Sequence, residues 1–206
     1  MDKDFNYILK ESESNNDILS LILVGSRGKG FENEHSDYDA IMIVKEDFLE
    51  ELKREFEDKN FDNLDLCVLS LQEFKTYADI GSPMEWARYD FAHTKILVDK
   101  TSNLKKLVEA KGFISKSKQK EFIEGYLDGY INGVYRSVKC IRNKNQLGAQ
   151  IEASNSMLDL LTLVFAFEGR HKPFYGYTEK ELKAHPLKLL PWAVSEFVSK
   201  NESRYT

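Results

Sequence analysis

LILVGSRGKGFENEHSDYDAIMIV, residues 21–44, is the stretch on which the reading of this chain turns. Two apolar runs flank a polar, glycine-bearing loop, and the second run opens with Asp37 and Asp39. Side chains alternate across a strand, so these carboxylates point to one face while Tyr38, Ala40, Met42 and Val44 point to the other. Adjacent anions repel, and an all-oxygen pair of this kind is stabilised by a hard cation such as Mg²⁺. Alone the pattern says little, because any edge strand can expose two acids to water. The preceding loop adds weight: Gly25 and Ser26 come directly off the first run, where backbone N–H groups and a hydroxyl can hold a phosphate. GSRGKG is not a Walker A loop, since the Gly-Lys-Ser/Thr ending is missing. A third acid, Asp65 in NLDLCVLS, opens a further strand. If that strand lies beside the one bearing Asp37 and Asp39, three carboxylates surround one or two metal ions.

Outward from this stretch, runs of Ile, Leu and Val predict strands at 18–24, 37–44, 63–70 and 95–99, a mixed sheet with helices between. KEDFLEELKREFEDK (45–59) carries Phe48, Leu49, Leu52 and Phe56 at helical spacing and predicts one sheet-covering helix. Further helices are expected at 2–13, 71–79, 83–92 and 102–111. From about residue 116 the pattern turns to long helical periods without strand candidates. The reading is therefore an α+β chain: a first domain over 1–115 and a helical, bundle-like domain over 116–206. In the helix expected over 118–144, Ile123, Leu127, Tyr130, Val134, Val138 and Ile141 form an apolar stripe. Gly125, Gly129, Asn132, Arg136, Lys139 and Asn143 fall opposite. Two glycines one turn apart are costly in a helix, so something is expected to approach closely there, a solvated face being the alternative.

Composition narrows the function classes. The 206 residues are 42% hydrophobic and carry a formal charge of −5, without the basic excess of a protein whose main partner is a nucleic-acid backbone. Small molecules are favoured over DNA or RNA. Cys67 and Cys140 offer no disulfide framework, which suits a reducing compartment. The N-terminal residues lack an apolar core behind a basic start, so no leader is read and the cytoplasm is the expected location. MLDLLTLVFAF (157–167) is too short to span a bilayer and carries Asp159, so no membrane role is expected. The four histidines are scattered without metal-ligand spacing, and the tail KNESRYT is polar and expected to fray.

The order Val24-Gly25-Ser26, a spacer ending at Ser36, Asp37-Tyr38-Asp39-Ala40, and Asp65 on a later strand resembles the signature of the nucleotidyltransferase superfamily. That superfamily includes DNA polymerase beta and the kanamycin and lincosamide nucleotidyltransferases. Many members carry Arg-Gly a few residues after Gly-Ser, where this chain has Lys29-Gly30, and Arg27 has no assigned part. The second half, with Tyr135-Arg136-Ser137-Val138-Lys139, an acid-bearing helix and Gly169-Arg170-His171-Lys172-Pro173, is similar to the helical region of bacterial small-molecule nucleotidyltransferase-like proteins.

The resemblance implies a nucleotidyltransferase core followed by a helical domain for acceptor and nucleotide. It implies transfer of a nucleoside monophosphate, AMP by expectation, from ATP or another nucleoside triphosphate to a hydroxyl of a small molecule, with release of pyrophosphate. Asp37, Asp39 and Asp65 would hold Mg²⁺, two ions by expectation, with Asp65 also helping to take the acceptor's proton. Gly25, Ser26 and Lys29 would bind the nucleotide, and Arg136 and Lys139 would neutralise departing pyrophosphate. Glu152 is a candidate general base, with a solvent-facing helix acid as the alternative. A protein or RNA acceptor, as in toxin–antitoxin nucleotidyltransferases, and a non-catalytic nucleotide-binding regulator remain the rival functions. A homodimer is left open, since in some relatives a neighbour completes the site.

Overall fold

The computed structural model describes residues 2–57, 59 and 61–189; the polar tail lies outside them. The chain separates into two compact units, Met1–Gly112 and the residues from Phe113 onward.

The first unit is built on four strands, β1 (Ile18–Leu23), β2 (Tyr38–Val44), β3 (Leu64–Ser70) and β4 (Lys95–Asp99), in the spatial order β3-β2-β1-β4. β1 pairs antiparallel with β2 and β4, whereas β2 and β3 run parallel, so the sheet is mixed as the sequence predicts. Both faces are covered, which is why the strands read as nearly continuous apolar runs. On one face Leu21, Leu23, Ala40, Met42, Val44, Leu66 and Val68 pack with α1 (Lys3–Ser14), which contributes Phe5 and Ile8. Asp2 caps α1 by accepting the Asp4 N–H at 2.8 Å. On the other face Ile22, Ile41 and Ile43 meet Phe74, Phe91 and Val108. These come in turn from α4 (Leu71–Thr76), α5 (Arg88–Phe91) and α6 (Leu104–Gly112). The short helix α2 (Gly25–Lys29) follows β1 directly.

The single helix expected over 45–59 is broken instead into a 3₁₀ turn (Glu46–Phe48), α3 (Leu49–Leu52) and a π-helical turn (Lys53–Glu57). Phe56, 1% exposed, joins Leu49 and Leu52 in the core, as the helical spacing predicts. In the wider π turn the Glu57 carboxylate accepts the Val68 N–H at 3.4 Å on β3, the edge strand. Phe56→Ala is expected to cost about 3–5 kcal/mol, read as a fall in the urea midpoint. The helix expected at 83–92 is likewise a 3₁₀ turn (Glu85–Ala87) running into α5.

The second unit holds two long helices, α7 (Lys116–Arg142) and α8 (Gln146–Phe167), followed by α9 (Thr178–Ala184). α7 and α8 are antiparallel: Gln119 donates to the Ala166 carbonyl near one end and Ser137 to the Ala149 carbonyl near the other. Of the two glycines one turn apart, Gly129 lies against α8, whereas nothing lies within 4 Å of a Cβ on Gly125. A Cβ on Gly129 would lie 2.7 Å from the Asp159 carboxylate, and one on Gly133 2.7 Å from the Ser156 Cβ. The stripe expected to form the core of α7 is largely exposed, with Val138 at 57% and Ile141 at 64%. The face turned to α8 is neither of the two expected ones: it runs through Gly129, Gly133 and Ser137, while Asn132, Arg136 and Lys139 are exposed, because small residues let helix backbones approach more closely than aliphatic ones. Arg170 bonds to the His185 carbonyl and pairs with Glu181 beside α9.

Candidate functional site

Strand alternation fixes the acids. On β2, Ala40, Met42 and Val44 lie in the α1 side of the core, so Asp39 shares the opposite face with Ile41 and Ile43. On β3 the same logic puts Asp65 with Cys67 and Leu69. The parallel register then sets Asp39 directly opposite Asp65. Asp37 lies two residues ahead of Asp39, just before β2 begins, and both it and Asp65 are exposed, whereas Asp39 is half-buried. Burial, followed by the charges of Asp37, Asp65 and Asp90, pushes the Asp39 carboxyl up to about 6. Two of the sequence-predicted acids, Asp37 and Asp65, thus bear electrostatically on a third, Asp39. Asp90, on α5, is a fourth that the sequence reading did not include.

The loop after β1 closes against this cluster. Gly25 has φ +61, and a Cβ built on it would sit 1.8 Å from the Asp39 Oδ2. The glycine therefore admits the carboxylate of Asp39 itself. Ser26, 6% exposed, keeps a buried hydroxyl with no hydrogen-bond partner. The first N–H groups of α2 have no acceptor within the helix. A buried hydroxyl without a partner is costly, so Ser26 Oγ is a polar group that its surroundings leave unsatisfied. Phosphate oxygen fits that need, and hard divalent cations fit the all-carboxylate donor set nearby.

Lys29 turns into the protein. Its side chain is 1% exposed, and its ammonium donates to the Gly25 carbonyl at 2.7 Å and pairs with Asp90. Arg27, without an assigned part in the sequence, clamps the start of β2. Its guanidinium donates to the Asp37 carbonyl at 2.9 Å and the Ser36 carbonyl at 2.6 Å, and lies 4.1 Å over the Tyr38 ring. Tyr38 in turn stacks on Phe5 at 4.2 Å. The position of Asp37 thus depends on Arg27, whose reach across ten residues no local pattern reveals. Lysine in a polar loop is ordinarily exposed, so nothing local announces that Lys29 is buried or selects Asp90 as its partner.

Around the cluster, burial and then the nearby Glu57 and Asp65 charges push the Cys67 thiol up to about 11. Burial and then Cys67, Asp90 and Asp65 push the Tyr77 hydroxyl up to about 12. Both stay protonated at neutral pH, so Cys67 is no thiolate nucleophile. In the helical unit Arg136 and Glu152 are brought together, with Arg136 Nε donating to the Glu152 carboxylate at 2.9 Å. Lys139 is exposed on the same helix. Among the described residues, no helix is long and apolar enough to cross a membrane.

The family model of the nucleotidyltransferase domain matches residues 5–123, more than half of the chain. No curated protein matches. Among solved structures, a nucleotidyltransferase-like protein from Exiguobacterium sibiricum is similar at 12% identity and a TM-score of 0.46. That likeness covers 92% of this chain and 65% of the other, so this chain spans about two thirds of that protein's length. A toxin–antitoxin structure with AMP-PNP is similar at 14% identity and a TM-score of 0.31, over 53% of this chain and 82% of the other. Matched from α1 through both acid-bearing strands to the start of α7, the chain belongs to the nucleotidyltransferase domain family.

Proposed function

We propose that this protein is a Mg²⁺-dependent nucleotidyltransferase that moves a nucleoside monophosphate, AMP in the first instance, from a nucleoside triphosphate to a hydroxyl of a small molecule. The observation that carries the reading is the convergence of Asp37, Asp39 and Asp65 beside the buried, unpartnered Ser26 hydroxyl. Bound at these carboxylates, Mg²⁺ would neutralise triphosphate charge and polarise the α-phosphoryl group.

The chain's own residues supply the rest. Ser26 Oγ–H and the N–H groups of the α2 first turn donate to the β- and γ-phosphates. Asp37 and Asp39 hold the acidic pole against which the α-phosphorus is oriented. Asp65, exposed at the start of β3, takes the proton of the acceptor hydroxyl as its oxygen bonds to the α-phosphorus. The bond from the α-phosphorus to the bridging oxygen breaks, and pyrophosphate carries away the electron pair.

The test is pyrophosphate release from ATP with a panel of hydroxyl-rich acceptors, with and without Mg²⁺. Metal- and acceptor-dependent release is the expected result. Binding of ATP without release for any acceptor would favour a nucleotide-sensing regulator. Ser26→Ala is expected to weaken triphosphate affinity by roughly tenfold, about one charge-assisted hydrogen bond, with little change in unfolding midpoint. Calorimetry with a nonhydrolysable ATP analogue measures this, and unchanged affinity would remove Ser26 from the phosphate site.

A further inference from the structure

The loop that carries Gly25 and Ser26 is held from behind by one short segment, residues 90–95. Thr94 Oγ1 donates to the Leu23 carbonyl at 2.6 Å, and Lys95 Nζ donates to the Arg27 carbonyl at 2.9 Å. Between these two, Asp90 pairs with Lys29, whose ammonium also donates to the Gly25 carbonyl at 2.7 Å. Of the three clamps only this one is buried: the Lys29 and Asp90 side chains are 1% and 11% exposed.

A buried ion pair is a poor way to stabilise a fold. Desolvation of both charges offsets most of their attraction, and apolar residues of similar size often do as well. What the pair does supply is a fixed position for a strong donor. The carbonyl it holds belongs to Gly25, the residue with φ +61 that lies against Asp39, and Ser26 follows immediately. With the Gly25 carbonyl drawn inward to the ammonium, the peptide joining Gly25 to Ser26 is fixed. The Ser26 N–H is set on the side away from that carbonyl, as in any trans peptide.

We propose that Asp90 is a positioning residue: by holding the Lys29 ammonium on the Gly25 carbonyl, it keeps the Gly25–Ser26 peptide in the orientation that receives the triphosphate. This rests on the reading of the site as one for nucleotidyl transfer. Lys29 then serves the nucleotide through the loop backbone, and Asp90 serves it through Lys29. The pair is preorganisation of an anion-binding loop, in which the donors need no rearrangement when the ligand arrives.

The experiment compares the full chain with Asp90→Asn and with the double variant Lys29→Met/Asp90→Leu, which removes both charges and leaves neither unpaired. Each is titrated with Mn²⁺ alone and with a nonhydrolysable ATP analogue plus Mg²⁺, and unfolded in urea. The double variant is expected to match or exceed the wild-type urea midpoint and to bind Mn²⁺ within about threefold of wild type. Its triphosphate affinity is expected to fall by about tenfold or more, the size of one charge-assisted hydrogen bond. Asp90→Asn, which can still accept from Lys29, should recover most of that loss. A double variant that binds the triphosphate as tightly as wild type would overturn the positioning role while leaving the function standing. Wild-type protein that binds Mn²⁺ but no triphosphate would overturn the function, and the positioning role with it.

Discussion

Asp39→Asn is expected to make the metal-free protein more stable at neutral pH while abolishing nucleotide transfer. The two effects have one origin. Asp39 is half-buried, faces Asp65 across the β2–β3 ladder, and carries a carboxyl pushed up to about 6 by burial and by its acidic neighbours. Between the ordinary aspartate value of about 3.9 and about 6, the folded protein retains a proton that the unfolded chain has released. Stability of the metal-free protein therefore falls as pH rises through that window, and the deficit is complete above it. Removing the charge should recover about 1–2 kcal/mol at pH 7, after allowance for the solvent access that screens a half-exposed group. Urea unfolding in EDTA at about pH 4.5, near the foot of that window, and at about pH 7.5, above it, should show the gap between wild type and Asp39→Asn opening at the higher pH. Activity should move oppositely. Loss of a metal-binding carboxylate forfeits several kcal/mol of transition-state stabilisation, roughly three orders of magnitude in rate, and Asp37→Ala should lose as much. Retained turnover in either variant would remove the carboxylate cluster from the chemistry. A stability gap independent of pH would remove its electrostatic account.

Much of the fold and part of the site are legible in the sequence. The four strands follow from runs of Ile, Leu and Val, because a sheet buried on both faces needs apolar side chains on both. The acids at 37 and 39 are visible for the same reason, as interruptions of a pattern that otherwise tolerates none. Asp65 on the neighbouring strand was an inference from its place at the head of an apolar run, and the parallel β2–β3 register puts it opposite Asp39. The break in the 45–59 helix was not legible, since the π turn answers to the fit of Glu57 on the β3 edge. Nor could spacing show which part of α7 is covered: the face turned to α8, through Gly129, Gly133 and Ser137, lies between the apolar stripe and the basic face, where small residues permit close approach. The parts of Arg27 and Asp90 were hidden most deeply. Both are side chains acting on backbone or charge far away in sequence, and such pairings are settled only when the fold closes.

Gly25→Ala is expected to cost far more than Gly30→Ala, and the comparison of the two shows why. Both glycines have left-handed backbone, φ +61 and +73. At Gly30 nothing lies within 4 Å of the added Cβ, so the penalty is backbone strain alone, about 1 kcal/mol. At Gly25 the same strain is joined by a collision with Asp39, whose Oδ2, Cγ and Cβ would lie 1.8, 2.5 and 2.8 Å from the new methyl. Turning the carboxylate aside clears the first two atoms but not the Cβ, which is fixed by the pairing of β2 with β1 and β3. The loop must therefore move, taking Ser26 away from the acids. Gly30→Ala should keep metal-dependent triphosphate binding within about threefold, whereas Gly25→Ala should lose it by two orders of magnitude or more, on the order of 3 kcal/mol. The double variant Gly25→Ala/Asp39→Ala separates the causes. Removal of the carboxylate relieves part of the collision, so its unfolding midpoint should lie above that of Gly25→Ala, with an effect smaller than the sum of the single changes. Binding should not return, because the acid that was crowded is one that the site requires. Gly25→Ala protein that still binds the triphosphate as wild type does would mean that the close approach of Gly25 and Asp39 is not part of the working site.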